Sequence, residues 1–253
     1  MILVIGGTSD SRNIAVKIAQ GGSGVLVSTA TSYGADLAAG GGIEVTSGRL
    51  DRNGLKKLII TRGVRVIVDA SHPFAREVSE NTFNACEETG VFYIRYSRPP
   101  VKIPDRPLVV QLDSIGEAIG WAFEKGNTIL AATGSKTARL FTEKARDTGK
   151  RVVFRVTPDP DVIKGLIQNG AGPEDIVAMQ GPFSEEMNIA IINHYSADVL
   201  VTKDSGAAGG FGEKISAAEK AGIPIIIVRR PPELPGAVFS IDEVVLQAMT
   251  FIK

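Results

Sequence analysis

Two α/β domains with parallel sheets and a cleft between them are what this sequence predicts, on three observations. Short β-branched runs alternate with Gly-rich or polar turns and amphipathic stretches along the whole chain, the pattern of parallel sheets joined by crossover helices. The pattern breaks once, at Arg98-Pro99-Pro100-Val101-Lys102-Ile103-Pro104-Asp105-Arg106-Pro107, where four prolines in nine residues remove donors and bar helix. At 253 residues and 43% apolar content, the chain can bury two small cores as readily as one large one. We therefore expect Rossmann-like domains at 1–98 and 108–253, a linker at 99–107, and ligands in the crevice at the carboxyl ends of the strands.

In the first half the apolar runs place strands at Met1 to Ile5, Val25 to Ser28, Glu44 to Ser47, Val66 to Asp69 and Phe92 to Arg95, all central or near-central. Amphipathic spacing places helices near Ser11 to Gln20, Leu55 to Arg62 and Arg76 to Thr89. After the prolines the alternation restarts, with strands at Leu108 to Gln111, Thr128 to Ala131, Val152 to Val156, Ile176 to Met179, Val199 to Thr202 and Ile225 to Val228. Its helices are expected at Ile115 to Glu124, Ala138 to Thr148, Glu185 to His194, Glu213 to Ala221 and Ile241 to Phe251. The last is apolar enough to cover a sheet or to mediate a dimer, and the first use is expected.

The charge balance, 28 basic against 28 acidic residues, supplies no global field for nucleic acid or an anionic membrane. No apolar run is long enough to span a bilayer, and Met1 to Ile5 lacks the basic start of a signal peptide, so a cytoplasmic protein is expected. The single cysteine, Cys86, excludes an internal disulfide and any cysteine-cluster metal site, and reads as a packed, inert helical thiol. No metal is expected.

Four loops carry the chemistry. Ile5-Gly6-Gly7-Thr8-Ser9-Asp10-Ser11-Arg12 runs a strand into a helix through a glycine pair, so helix-start amides would face an anion as in dinucleotide sites. The spacing is not G-x-G-x-x-G, and a plain helix cap by Thr8, Ser9 and Asp10 is the competing reading. Gly6, Gly7, Thr8 and Arg12 are the candidate phosphate ligands. Beyond the second strand stands Ser28-Thr29-Ala30-Thr31-Ser32 in place of an acid that would grip the ribose, so both NADH and NADPH fit; Ser28 and Thr29 are placed beside the cofactor. In the second loop, Asp69-Ala70-Ser71-His72-Pro73-Phe74-Ala75, Ser71 is a further cofactor candidate. His72 can donate to a substrate or cofactor oxygen or titrate near neutrality, a backbone-bonded structural histidine being the alternative.

The third loop, Thr133-Gly134-Ser135-Lys136-Thr137, repeats the strand-glycine-hydroxyl-helix arrangement and resembles an anion cradle with a lysine at its edge. It lacks the earlier glycine of a P-loop, which argues against triphosphate hydrolysis. Thr133 and Gly134 are cofactor candidates, Ser135 and Lys136 substrate candidates. The fourth, Thr202-Lys203-Asp204-Ser205-Gly206-Ala207-Ala208-Gly209-Gly210-Phe211-Gly212, holds four glycines within seven residues, which suits a loop approaching a ligand closely. Lys203 is a candidate acid, Ser205 and Gly206 substrate contacts. Arg49, Arg95, Arg98, Lys102, Arg229 and Arg230 make a basic collection suited to a polycarboxylate, though for any single one plain surface charge competes.

At these residues the chain resembles the precorrin-6A reductase family of cobalamin biosynthesis over essentially its whole length. The most distinctive segments are Asp69-Ala70-Ser71-His72-Pro73-Phe74-Ala75 and Val201-Thr202-Lys203-Asp204-Ser205-Gly206. The stretch from Ser28 to Leu37 is similar to the anaerobic-route branch, and it has Thr31-Ser32-Tyr33 where the aerobic branch tends to place an arginine. The resemblance implies reduction of one double bond of cobalt-precorrin-6A by NADH or NADPH, with a polycarboxylate tetrapyrrole as the partner and a monomer or weak dimer as the working form. Hydride passes from nicotinamide to a ring carbon, and His72, Lys203 or water supplies the proton. A non-catalytic dinucleotide-sensing protein is the alternative from another class. A short-chain reductase is disfavoured because no Tyr-x-x-x-Lys pair occurs.

Overall fold

A computed structural model describes residues 1–40, 42–206, 209–233 and 236–252. Ala207 and Ala208 of the fourth loop lie outside the described residues. The chain forms two compact units, Met1–Pro99 with Pro231–Lys253, and Pro100–Arg230.

In the first unit β1 (Ile2–Ile5), β2 (Val25–Thr29), β3 (Glu44–Ser47), β4 (Val66–Asp69) and β5 (Phe92–Arg95) form one parallel sheet in the order β3-β2-β1-β4-β5. The strand alternation sends Ile2 and Val4 to one face and Leu3 and Ile5 to the other. Ile2 and Val4 pack with Ile14 and Ile18 of α1 (Ser9–Gln20). Leu3 and Ile5 pack with Leu55 and Ile59 of α3 (Arg52–Arg62) and Cys86 of α4 (Arg76–Thr89). Burial on both faces explains why β1, β2 and β4 read as continuous apolar runs. β3 and β5 are edge strands, which corrects the expectation that all five are central or near-central; Glu44 and Ser47 of β3 are exposed. A further helix, α2 (Ser32–Ala38), follows β2, capped by Thr31, whose hydroxyl accepts from the Gly34 amide at 3.1 Å.

The second unit is a six-stranded parallel sheet: β6 (Val109–Leu112), β7 (Thr128–Ala132), β8 (Arg151–Val156), β9 (Ile176–Ala178), β10 (Val199–Lys203) and β11 (Ile225–Val228), in the order β6-β11-β10-β7-β8-β9. Its helices are α5 (Ile115–Lys125), α6 (Ala138–Thr148), α7 (Pro160–Gln168), α8 (Glu185–Tyr195) and α9 (Phe211–Lys220). One face buries Leu130, Val153, Leu200, Ile225 and Ile227 against Ile191 of α8 and Ile215 of α9. The other carries the Phe123–Phe141–Phe154 ring contacts, at 6.5 and 6.2 Å between centroids. The proline segment joins this unit, since Val101 and Ile103 pack on its core.

After β11 the chain returns to the first unit, which corrects the expected 108–253 domain. α10 (Ile241–Thr250) lies against α1, β4 and β5 and buries Val244 and Ala248 in the first core. Val238 bridges Tyr96 and accepts from the Ser97 amide at 2.9 Å. A proline break marks where helices and strands stop; it carries no information on which core a later amphipathic helix covers. α10 thus covers its own sheet. Among the described residues no helix is long and apolar enough to cross a membrane.

Candidate functional site

The strand order fixes where each sheet can open. In the first unit the chain winds from β1 to β2 and β3 on one side and then crosses to β4 and β5 on the other, so the carboxyl ends of β1 and β4 diverge into a crevice. In the second, β7 leads to β8 and β9 one way and β10 leads to β11 the other, which places that crevice between β7 and β10. The first and second loops bracket one switch point, the third and fourth the other.

Gly6 holds the first site together. Its φ is +144° and its amide donates to the Ser28 carbonyl at 3.0 Å. A Cβ there would stand 2.7 Å from the Ala70 carbonyl oxygen, so only glycine lets β1, β2 and β4 converge this closely. Gly7 differs: it is exposed, with nothing within 4 Å of a built Cβ. Thr8 is the N-cap of α1, accepting from the Ser11 amide at 3.1 Å while Ser11 Oγ accepts from the Thr8 amide at 3.0 Å. The capping reading therefore holds for Thr8, while the partner that completes the capping box is Ser11 rather than Ser9 or Asp10. It leaves the amides of Ser9 and Asp10 ahead of the first i→i−4 acceptor and directed out of the helix start. Asp10 is buried and neutralised by Arg98, whose Nε donates to it at 2.5 Å. Arg12 is half-buried and makes no ion pair among the described residues. Ser28 and Thr29 are buried, and the Thr29 hydroxyl donates to the Thr31 carbonyl at 2.9 Å, turning the chain into α2.

Beside this lies a buried polar network. Asp69, fully buried at the end of β4, accepts from the Ser71 amide at 3.0 Å and the Tyr93 hydroxyl at 2.9 Å, and pairs with Arg95 at 3.1 Å. Arg95 also donates to the Ser71 carbonyl and hydroxyl at 3.2 and 3.1 Å. Burial, and then the Asp69 charge, push the Tyr93 phenol up and hold the Cys86 thiol at about 12. Ser71 is thus an internal strut that fixes the entry to His72. The His72 ring lies 5.8 Å from that of Phe74, and its Nδ1 accepts from the Phe74 amide at 3.2 Å. That bond makes Nδ1 an acceptor and places the ring proton on Nε2.

At the second switch point Gly134 has φ +82°, and Ser135–Thr137 form a 3-10 turn into α6. The buried Thr133 hydroxyl is 2.7 Å from that of Thr137, which also bonds the Gly134 carbonyl at 3.0 Å. Lys136 is exposed. Lys203 closes β10, and burial first and Lys136 second hold its ammonium below the ordinary lysine value. Asp204 accepts a two-pronged grip from Arg230 at 2.8 and 2.9 Å and takes the Gly206 amide at 3.2 Å. Ser205 is buried and Gly206 has φ +71°.

The basic collection is corrected in detail. Arg95, Arg98 and Arg230 are held by Asp69, Asp10 and Asp204, because burying a guanidinium without a counter-charge is costly. Arg229 pairs with the exposed Asp113, while Arg49 and Lys102 are exposed. Asp69, Tyr93, Asp204 and Arg155 were not singled out from sequence. Asp69 ends β4 two residues before Ser71, and Asp204 follows β10 directly before Ser205: a carboxylate at a strand's carboxyl end close to a serine is the one signal that marked them.

The family model described as precorrin-6x reductase CbiJ/CobK matches residues 1–249. Among relatives, the cobalt-precorrin-6A reductase of Priestia megaterium is 37% identical over 250 residues, covering 98% of each chain. That of Methanothermobacter thermautotrophicus is 37% identical over 233 residues, 91% of this chain and 76% of its own. The precorrin-6A reductase of a Sinorhizobium species is 31% identical over 254 residues, 96% of this chain and 90% of its own. The solved structure described as CobK precorrin-6A reductase has the same fold, with a TM-score of 0.81 over 99% of this chain and 96% of that one, at 23% identity.

Proposed function

The chain belongs to the precorrin-6x reductase family, and from that premise we propose that it reduces cobalt-precorrin-6A to cobalt-precorrin-6B with NADH or NADPH, as a cytoplasmic monomer or weak dimer. The observation that carries the cofactor half is the Gly6-Gly7-Thr8 turn at the β1/β4 switch point: a tight glycine, an open glycine, and outward helix-start amides with Arg12 one turn on. This set fits a pyrophosphate. A reduced nicotinamide bound there supplies the hydride.

The residues of the chain do the rest. Gly7 and the Ser9 and Asp10 amides cradle the phosphates, and Arg12 adds charge. Asp69 and Arg95 fix Ser71, and through it the turn that carries His72. His72 orients the ligand through Nε2–H. Lys136, Ser135 and the Ser205-Gly206 turn hold the substrate's carboxylates. Lys203 delivers the proton to the electron-rich atom that hydride addition creates, a role suited by a depressed ammonium pKa. No carboxylate follows β2 between Thr29 and Tyr33, so either dinucleotide is compatible.

The test follows the absorbance of NADH or NADPH during anaerobic incubation with the macrocycle, with and without cobalt. Oxidation that depends on the macrocycle is expected. No oxidation with either form refutes the proposal. Replacing Lys203 with Met should lower turnover about 10²-fold with dinucleotide affinity near normal.

A further inference from the structure

Arg155 stands apart from the other buried arginines. It lies near the carboxyl end of β8 and is 6% exposed. Arg95, Arg98 and Arg230 each face a carboxylate, whereas Arg155 has none within ion-pair distance among the described residues. Its partners are neutral: Nη1 donates to Asn188 Oδ1 at 2.6 Å, and the guanidinium lies 4.6 Å from the Phe183 ring centroid. Asn188 is committed, its amide nitrogen donating to the Ser184 carbonyl at 2.7 Å. Burial alone lowers the guanidinium to about 10, with no neighbouring charge raising it, so it remains a cation at neutral pH.

An arginine has five donors, and Asn188 takes one of them. Burying an unpaired cation is costly, which a protein tolerates where a ligand completes the pair. The register places this cation in the site. Thr202 pairs with Ala132, and Ala131 with Phe154, so Arg155 stands level with Ala132 and Thr202 across three adjacent strands. Lys203 is one residue beyond that row, and Thr133 begins the cradle loop beside it. Two interstrand spacings separate the β8 and β10 backbones, roughly 10 Å. Phe183 and Asn188 hold the guanidinium in one orientation, and its remaining donors form a planar fork suited to a carboxylate.

We propose that Arg155 anchors a carboxylate of the tetrapyrrole at the carboxyl edge of the second sheet, a contact resting on the reductase reading above. Lys136 and Lys203 then meet other parts of the same anion. Arginine at this position is kept for binding, at the expense of stability.

The test is equilibrium binding of cobalt-precorrin-6A, read from the macrocycle's own absorbance without nicotinamide, for the parent protein, Arg155→Met and Asn188→Asp, together with melting temperatures. Arg155→Met should weaken binding about tenfold or more, with a melting temperature no lower than the parent's. Asn188→Asp hands the guanidinium a carboxylate of its own and should weaken binding by a similar factor. It also decides the matter if Arg155→Met does not fold. Parent-like affinity in whichever variants fold, or a large melting loss with affinity unchanged, overturns the role of Arg155 alone. A parent protein that does not bind the macrocycle overturns the reductase reading with it.

Discussion

Substituting the two adjacent glycines separates folding from binding at the turn proposed to hold the dinucleotide. In Gly6→Ala the new methyl meets the Ala70 carbonyl oxygen at 2.7 Å and its carbon at 3.0 Å, both backbone atoms that cannot rotate aside. A φ of +144° adds strain for an L side chain, about 1–3 kcal/mol. Overpacking contributes roughly another 1–3 kcal/mol. The expected loss is thus about 2–6 kcal/mol, a large part of the roughly 5–15 kcal/mol that holds a domain folded. In Gly7→Ala nothing lies within 4 Å of the methyl, so stability should stay within about 0.5 kcal/mol of the parent. On the proposed binding mode the methyl occupies the approach of the pyrophosphate, and dinucleotide binding should weaken at least about tenfold, or 1.4 kcal/mol. Urea unfolding followed by circular dichroism measures the first quantity, and NADH or NADPH fluorescence titration the second. A Gly6→Ala protein as stable as the parent refutes the close-approach argument. A Gly7→Ala protein that binds dinucleotide normally removes the phosphates from this turn.

Lys136→Met removes the cation that helps depress Lys203, so the Lys203 pKa should rise; because the proton donor must be protonated, the alkaline limb of turnover should move to higher pH. An unmoved limb excludes Lys203 as the acid. Arg95→Met strands the fully buried Asp69 beside Tyr93 and should cost about 3–5 kcal/mol in denaturant unfolding, and a loss below about 1 kcal/mol would contradict the network described here. With its thiol near 12, Cys86 should resist alkylation at pH 8 in the native protein, where roughly one thiol in 10⁴ is ionised, and react on unfolding; fast native labelling would show that the thiol is not sequestered.

Much of the fold was legible because buried parallel strands leave a strong local trace. The runs Val66 to Asp69 and Ile225 to Val228 are flanked by turn residues and coincide with β4 and β11. α2 went unread because its signal is a cap, Thr31 ahead of a short helix; α7 was legible, with Asp159 and Pro160 at its start and apolar Val162, Ile163, Leu166 and Ile167 at helical spacing, and was missed. The loops that carry the candidate site were legible as glycine and hydroxyl clusters at strand ends. Their internal division of labour was not, since a sequence does not say whether an arginine such as Arg95 meets a ligand or Asp69.

By itself the sequence determined the alternation of strand and helix, the glycines at Gly6 and Gly134, and the glycine- and hydroxyl-rich loops of the candidate site, all of which follow from local periodicity and backbone conformation. Only the tertiary structure decided the strand order that makes β1/β4 and β7/β10 the openings, the return of α10 to the first sheet, and the pairing of Arg95, Arg98 and Arg230 while Arg155, among the described residues, meets Asn188 and Phe183 and no carboxylate. Those depend on contacts between residues far apart in the chain, where burial and charge neutralisation act through space and leave no imprint on neighbouring residues.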